Sequence, residues 1–346
     1  MSRPSTLGPP LPKSVYALGF VSLFMDISSE MVASLLPLFL VGTLGASVFF
    51  VGMLEGVAEA LVSVTKLFSG ALSGRLGRRR PMLLFGYGLA AVSRMVLPWA
   101  GSVTEVMGAR LVDRFGKGLR GAPRDALVAD LTVTEQRGEA YGMRQSLDTV
   151  GAFVGPMIAV VLMLLLAGDI RAVMMVSILP AAFSVLLILL YVREPDAGRV
   201  SKAGRWPINR SNLRQLGAGY WTIIAIAAVF AMARLGESFV LLRAAEGGLS
   251  ASWAPLVMVT MNLVYAATAW PMGRMADRLP RLPILALSLM LLAFAAVMLA
   301  RGGIVPVLLA SLVWGLHLGT SQGVIAALVA DAAPEALRGT AFGCST

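Results

Sequence analysis

The sequence predicts an all-α integral membrane protein. Of its 346 residues, 57% are hydrophobic and 14% are charged, and the mean hydropathy is +0.79. Charged residues usually make up about a quarter of a soluble domain, so this chain has too little polar surface for water. The apolar residues are grouped in runs of the length that crosses a bilayer, about 20 residues as a helix.

Ten segments qualify as membrane spans. Each is bounded by glycine, proline or charged residues, and they cover residues 14–41, 48–72, 81–99, 104–128, 140–167, 171–192, 218–242, 252–273, 283–300 and 304–330. The preceding segment, residues 1–13, is polar and proline-rich. The first span is too long for the apolar core of a signal peptide, so we expect it to be retained.

The net charge of +10 could indicate a nucleic-acid partner, but the distribution of the charge favours membrane topology. Alternate loops are rich in arginine and lysine: Arg3 and Lys13, then Arg75 to Arg80, then Arg193 to Arg214, then Arg274 to Arg281. Such loops stay on the cytoplasmic side. The sequence therefore predicts a multi-pass protein of the cell membrane, the inner membrane if bacterial, with a cytoplasmic N-terminus and no nucleic-acid partner.

The residues of common catalytic and metal sites are scarce. His317 and Cys344 are each the sole residue of their type, so a disulfide within the chain and a His/Cys metal site are both disfavoured. The nucleotide-binding pattern G-x-x-x-x-G-K-[ST] and the pattern G-x-S-x-G are also missing from the sequence. We therefore expect neither an enzyme nor an ATP-driven pump, and neither a cofactor nor a bound metal.

The chain repeats itself. ALVADLTVTEQRGEAYG at 126–142 returns as ALVADAAPEALRGTAFG at 327–343, and the loop GALSGRLGRRRP at 70–81 returns as GRMADRLPRLP at 273–283. A period of about 200 residues covering six spans predicts two parallel repeats. The expected organisation is a cytoplasmic segment at 1–13, a six-helix bundle at 14–192, a cytoplasmic linker at 193–217 and an incomplete second bundle at 218–346.

These motifs resemble those of the major facilitator superfamily. The loop after span two resembles its pattern G-x-L-x-D-R-x-G-R-R at every named position but one, and Arg114–Gly118 in span four matches its R-x-x-x-G. The resemblance implies a major-facilitator-like two-bundle fold, with about ten transmembrane helices present of an expected twelve. It also implies a secondary transporter, expected to be a monomer, that moves a small-molecule solute by alternating access.

Three departures from the family pattern bear on activity. Gly74 stands where the loop motif has an acidic residue, although Asp277 keeps it in the second copy. Gly151, Gly155 and Pro156 resemble a G-x-x-x-G-P element of exporters, without its final glycine pair. The residues given end at Thr346, before an eleventh and twelfth span. The sequence thus indicates either a fragment or a naturally shortened frame, and a non-functional remnant stays an alternative.

Several ionisable residues lie inside the predicted spans, where each costs about 2.5–3.5 kcal/mol at the bilayer centre. Pairs three or four residues apart share one face of a helix, as Asp26 does with Glu30, Glu55 with Glu59, and Arg144 with Asp148. We expect the central cavity or the proton-carrying site to involve Asp26, Glu30, Glu55, Glu59, Arg94, Arg234 and Glu237. A structural role for Glu55 and Glu59 is an equal alternative.

A second set of charges is interpreted as a cytoplasmic gate of salt bridges. It comprises Arg75, Arg78, Arg110, Asp113, Arg114, Arg120, Arg124, Asp125, Asp130, Arg137, Arg144, Asp148, Asp277 and Arg278. Alternatively, Arg114, Lys117, Arg120 and Arg124 could attract an anionic solute to the inner mouth. The predicted function is proton-coupled efflux of a small solute, with an importer of the same fold as the alternative.

Overall fold

The computed structural model describes residues 11–76, 78–133, 136–194, 218–233, 236–276 and 280–332. Its main helices in the first half are α1 Lys13–Ala33, α2 Val48–Leu76, α3 Arg80–Val96, α4 Val103–Leu131, α5 Arg137–Leu165, α6 Ile170–Val176 and α7 Ile178–Tyr191. Those of the second half are α8 Ala218–Ala233, α9 Glu237–Glu246, α10 Pro255–Ala276, α11 Arg281–Arg301 and α12 Ile304–Ala332.

These helices confirm the all-α membrane fold, and each predicted span corresponds to one helix or to a broken pair. Seven described segments are long and apolar enough to cross a membrane. The helix α4 is equally long but carries many charges, and the apolar stretches of α8 and α10 are shorter. Span seven is divided between α8 and α9, on either side of residues 234–235 outside the described part.

Two spans are interrupted where proline removes a backbone donor. The ring of a proline clashes with the carbonyl four residues earlier. Accordingly α1 ends at Ala33, four residues before Pro37, and a short turn at Leu36–Leu38 and a π-helical turn at Phe39–Thr43 follow it. Likewise Val176, at the end of α6, stands four residues before Pro180. Hydrophobic periodicity alone did not indicate either break.

The helices pack in the same order in both halves. In the first half α4 packs against α2 and α3, and in the second half α12 packs against α10 and α11. This is the arrangement that two copies of one ancestral unit would produce. Between the halves, α5 packs against α10, and the Asn262 side-chain amide donates to the Ala152 carbonyl at 3.0 Å.

The cores differ between the two ends of the molecule. We call the end where Lys13, Arg80 and Arg137 begin α1, α3 and α5 the basic end. At the opposite end one apolar cluster joins both halves, from Met31 and Met163 to Met258. At the basic end the halves have separate clusters, one around Leu18, Leu83 and Leu127 and one around Phe230, Ile284, Leu285 and Val324. Within the described residues, the halves therefore share an apolar cluster at the opposite end and have separate clusters at the basic end.

Candidate functional site

Two carboxylates of α1 lie against a glycine stripe on α5. A Cβ atom built on Gly151 would stand 2.9 Å from the Asp26 Cβ, and one built on Gly155 would stand 2.8 Å from the Glu30 Cβ. The same Cβ atoms would meet the carbonyl oxygens of Leu23 and Ile27 at 2.9 and 2.8 Å. Only glycine allows this approach. The acids and the glycines have the same i,i+4 spacing, so Asp26 faces Gly151 and Glu30 faces Gly155 one helical turn later.

The surroundings of these carboxylates are charged. Asp26 and Glu30 are half-buried, and neither forms an ion pair with any residue in the described ranges. Glu30 interacts electrostatically with Lys117 of α4 and with Glu237, the first residue of α9. Because Glu237 belongs to the second half, Glu30 borders the space between the halves. Glu59 of α2 is exposed, and it interacts with the exposed Lys117.

A buried arginine connects three helices next to this region. Arg94 of α3 is 0% exposed, and its Nη2 atom donates to Asp113 of α4 at 3.1 Å and to the Ser29 hydroxyl of α1 at 3.0 Å. The side chain was predicted to border the cavity. The structure instead places it inside the first half, where it fixes α1 and α3 to α4.

Glu55 has a partner that sequence spacing did not reveal. Arg110 donates through Nη2 to both oxygens of Glu55, at 2.9 and 3.0 Å, which ties α4 to α2. The predicted i,i+3 pair of Arg110 with Asp113 is confirmed, but its 3.8 Å separation makes it the longer contact. Arg114 lies at the same 3.8 Å from Asp113.

The predicted gate residues fall into separate groups. Arg110 is 21 residues from the end of α4, or about 30 Å along the helix, so it lies far from the basic end. Nearer to that end Arg144 pairs with Asp148 at 2.8 Å, as the i,i+4 spacing predicted, and with Asp125 at 3.8 Å. Arg124 donates to the Ser22 hydroxyl of α1 at 2.8 Å. Arg120 is buried over the Tyr87 ring, 4.4 Å from its centre.

At the basic end itself, Asp130 pairs with an arginine outside the predicted set. Arg79 donates to Asp130 at 2.5 Å, and Glu194 accepts the backbone N–H groups of Arg79 and Arg80 at 2.5 and 2.7 Å. A carboxylate at a helix N-terminus satisfies donors that the helix leaves free. These contacts fasten α3 to the end of α4 and to the residues that follow α7.

The other predicted gate residues lie at the basic end or outside the described residues. Arg78 and Arg137 are exposed at the basic end, and Arg75 lies near the end of α2. Asp277 and Arg278 lie outside the described residues, as does Arg234 of the predicted cavity set.

Sequence reasoning missed Arg79, Glu194, Ser22 and Ser29. The two serines could have been found, because both lie within one helical turn of Asp26, at i−4 and i+3. The pairing of Arg79 was hidden among three consecutive arginines, of which any could have turned inward.

His317 is buried in the second half, as expected of a packed polar residue. Its Nδ1 lies 2.8 Å from the Ser288 hydroxyl, and its ring stacks on Phe230. Among the described residues no group of three or more His, Cys, Asp or Glu side chains could hold a metal ion.

Comparison with known proteins identifies one family over nearly the whole chain. The sequence profile of the Major Facilitator Superfamily matches residues 18–346. An uncharacterized MFS-type transporter of Methanocaldococcus jannaschii is 25% identical over 96% of this chain and 84% of its own length. An uncharacterized protein of Mycobacterium tuberculosis is 29% identical over 95% of this chain and 81% of its own. The multidrug resistance protein MdtH of Edwardsiella ictaluri is 28% identical over 41% of this chain and 35% of its own.

Solved structures show the same fold. A bacterial homologue of the human lysosomal transporter Spinster, inward-facing and unoccupied, superposes with a TM-score of 0.78 at 17% identity, over 96% of this chain and 78% of that one. A D-xylose–proton symporter superposes with a TM-score of 0.70 at 19% identity, over 96% and 84%. At these identities the likeness establishes architecture only.

Proposed function

Because the chain belongs to the major facilitator superfamily, a family of transporters, we propose that it exports a small solute across the cell membrane in exchange for protons. In this proposal the basic end is cytoplasmic, and one chain is the working unit. The solute enters between the halves, and rocking of the two bundles exposes it on the other side.

The observation that carries proton coupling is the position of Asp26 and Glu30. An exchanging carboxylate must be reachable from the cavity, and it must not be locked to an arginine. Both side chains are half-buried and unpaired among the described residues, whereas Glu55 is held by Arg110. Asp26 and Glu30 are therefore the first choice for the proton-carrying group. Glu59 is the second, since it is exposed and unpaired in the described part of the chain.

Two observations support export over import. Residues 151–156 resemble the G-x-x-x-G-P element of exporters, without its final glycine pair, and Gly151 and Gly155 pack against the acidic pair itself. The MdtH similarity points the same way, although it covers only 41% of this chain.

The test uses the purified chain in liposomes with an imposed pH gradient. A solute library is screened for compounds that dissipate the gradient, and the direction of radiolabelled solute movement is then measured in everted vesicles. We expect acidic-inside everted vesicles to accumulate the solute. Asp26→Asn or Glu30→Gln should remove the pH dependence, whereas Glu246→Gln, more than half exposed at the opposite end, should keep it.

Each other result has a definite meaning. Gradient-driven loss of solute from acidic-inside everted vesicles would make the protein an importer. Retained coupling in Asp26→Asn, Glu30→Gln, Glu55→Gln and Glu59→Gln alike would overturn the proton-carrying assignment. A chain that moves no solute in any direction would support the remnant alternative.

A further inference from the structure

The side chains of Arg94, Arg110 and Arg114 form a buried cluster around Asp113, which we call the arginine cluster. Their exposed fractions are 0%, 3% and 11%, and that of Asp113 is 3%. Arginine stays protonated in proteins. The only carboxylates in ion-pair contact with the three guanidinium groups, within the described residues, are Asp113 and Glu55. At ion-pair distance the arginine cluster therefore has one cation more than it has carboxylates, while Glu30 and Glu59 interact with Arg114 from further away.

The arginine cluster also has more buried hydrogen-bond donors than acceptors. Arg94 and Arg110 each use Nη2, the first towards Ser29 and Asp113 and the second towards Glu55. Five other guanidinium nitrogens are buried without a hydrogen-bond acceptor among the described residues: Nε and Nη1 of Arg94, Nε and Nη1 of Arg110, and Nε of Arg114. The two 3.8 Å contacts with Asp113 are too long to be hydrogen bonds.

One bound group could balance the charge of the arginine cluster and also accept hydrogen bonds from its buried donors. A buried donor without an acceptor costs about 1–3 kcal/mol, and more on a charged group. Water could accept from these donors, but it would leave the excess charge in place. A small anion accepts several hydrogen bonds at once and also neutralises that charge. A dianion would reverse the sign of the charge, so a single negative charge fits best.

We infer that the arginine cluster binds a small monovalent anion, either a halide such as chloride or the carboxylate of a solute. This site adjoins the acidic pair on α1, since Glu30 interacts with Arg114, but its existence does not depend on the direction or coupling of transport. Neighbouring groups limit where the anion sits. Glu55 would repel an anion placed beside it, whereas Arg120 adds another buried cation further along α4.

The test measures the thermal unfolding midpoint of the purified chain by tryptophan fluorescence. Sodium gluconate, whose anion is too large for a buried site, is replaced stepwise by sodium chloride or sodium acetate at constant ionic strength. We expect a rise of about 2–4 °C at about ten times the dissociation constant, growing with the logarithm of the anion concentration above it. A rise with chloride alone identifies a halide site, and an equal rise with acetate identifies a site that also accepts carboxylates.

Arg114→Gln provides the matched variant, because the 3.8 Å contact with Asp113 is the one ion pair of Arg114 in the described part of the chain, and the change removes one positive charge from the arginine cluster. The anion-dependent rise should fall at least several-fold in this variant. Arg243→Gln removes the same charge from the opposite end and should retain the full rise. Should Arg114→Gln fail to fold, broadening of the ³⁵Cl resonance by the wild-type protein provides a direct measurement. A wild-type midpoint that responds to neither anion, or a response unchanged in Arg114→Gln, would show that water alone fills the site.

Discussion

Gly155 of α5 and Glu30 of α1 are so close that a Cβ atom on the glycine would stand 2.8 Å from the Glu30 Cβ. The same relation holds one turn earlier between Gly151 and Asp26. Asp26 and Glu30 thus lie on a part of α1 whose backbone is in close contact with the backbone of α5. Any change in the α1–α5 distance moves both carboxylates together.

Gly155→Ala should separate α1 from α5, because the added methyl group would overlap backbone as well as the Glu30 Cβ. Overpacking of this kind costs about 1–3 kcal/mol. We expect a lower thermal midpoint and, in transport assays, a shifted pH profile. Gly142→Ala on the same helix is the control, since nothing lies within 4 Å of its Cβ position. Equal effects of the two substitutions would contradict the glycine-stripe interpretation.

Asp113→Asn should be among the most destabilising substitutions of a charged residue in the first half. It leaves Arg94 buried without its carboxylate partner, and breaking a buried pair costs about 3–5 kcal/mol. Asp125→Asn is the comparison, because Asp125 is 38% exposed and its contacts are 3.4 and 3.8 Å. A loss of about 0–1 kcal/mol is expected there. Thermal unfolding in detergent measures both, and similar midpoints would argue against the central role of Asp113.

Glu194→Gln should loosen the start of α3. The uncharged amide keeps an acceptor for the N–H groups of Arg79 and Arg80, but it loses the charge that favours a helix N-terminus. The expected cost is about 0.3–1 kcal/mol. Hydrogen exchange of the first turn of α3 should accelerate, while that of α4 near Arg110 should not. Exchange unchanged at both places would mean that Glu194 does not stabilise the helix start.

Accessibility to a thiol reagent should depend on the side of the membrane that the basic end faces. Cys344 is the sole cysteine, so Cys344→Ser provides a background without thiols. In that background Lys117→Cys should react with a membrane-impermeant maleimide in everted vesicles, because Lys117 is exposed. Leu54→Cys, at 1% exposure in the core of the opposite end, should stay unreactive. Labelling of Lys117→Cys only in right-side-out vesicles would reverse the proposed orientation.

The candidate site could be foreseen only in part. Helical spacing predicted Arg144 with Asp148 and Arg110 with Asp113, because residues three or four apart share a face whatever the neighbouring helices do. The pairs of Glu55 with Arg110 and of Arg79 with Asp130 join residues 55 and 51 positions apart, and no local pattern contains that information.

What the sequence determined by itself is the membrane class, the succession of spans and the family. These follow from composition, from apolar runs of bilayer length and from repeated motifs, all of which are visible in the order of residues without knowing which helices touch. Tertiary structure alone decided that Asp26 and Glu30 stay unpaired in the described chain while Glu55 does not. It also decided that the halves join at the opposite end and that an excess positive charge is buried around Asp113. The reason is physical: the environment of a charge depends on which helix faces it, and that is decided only when the helices pack.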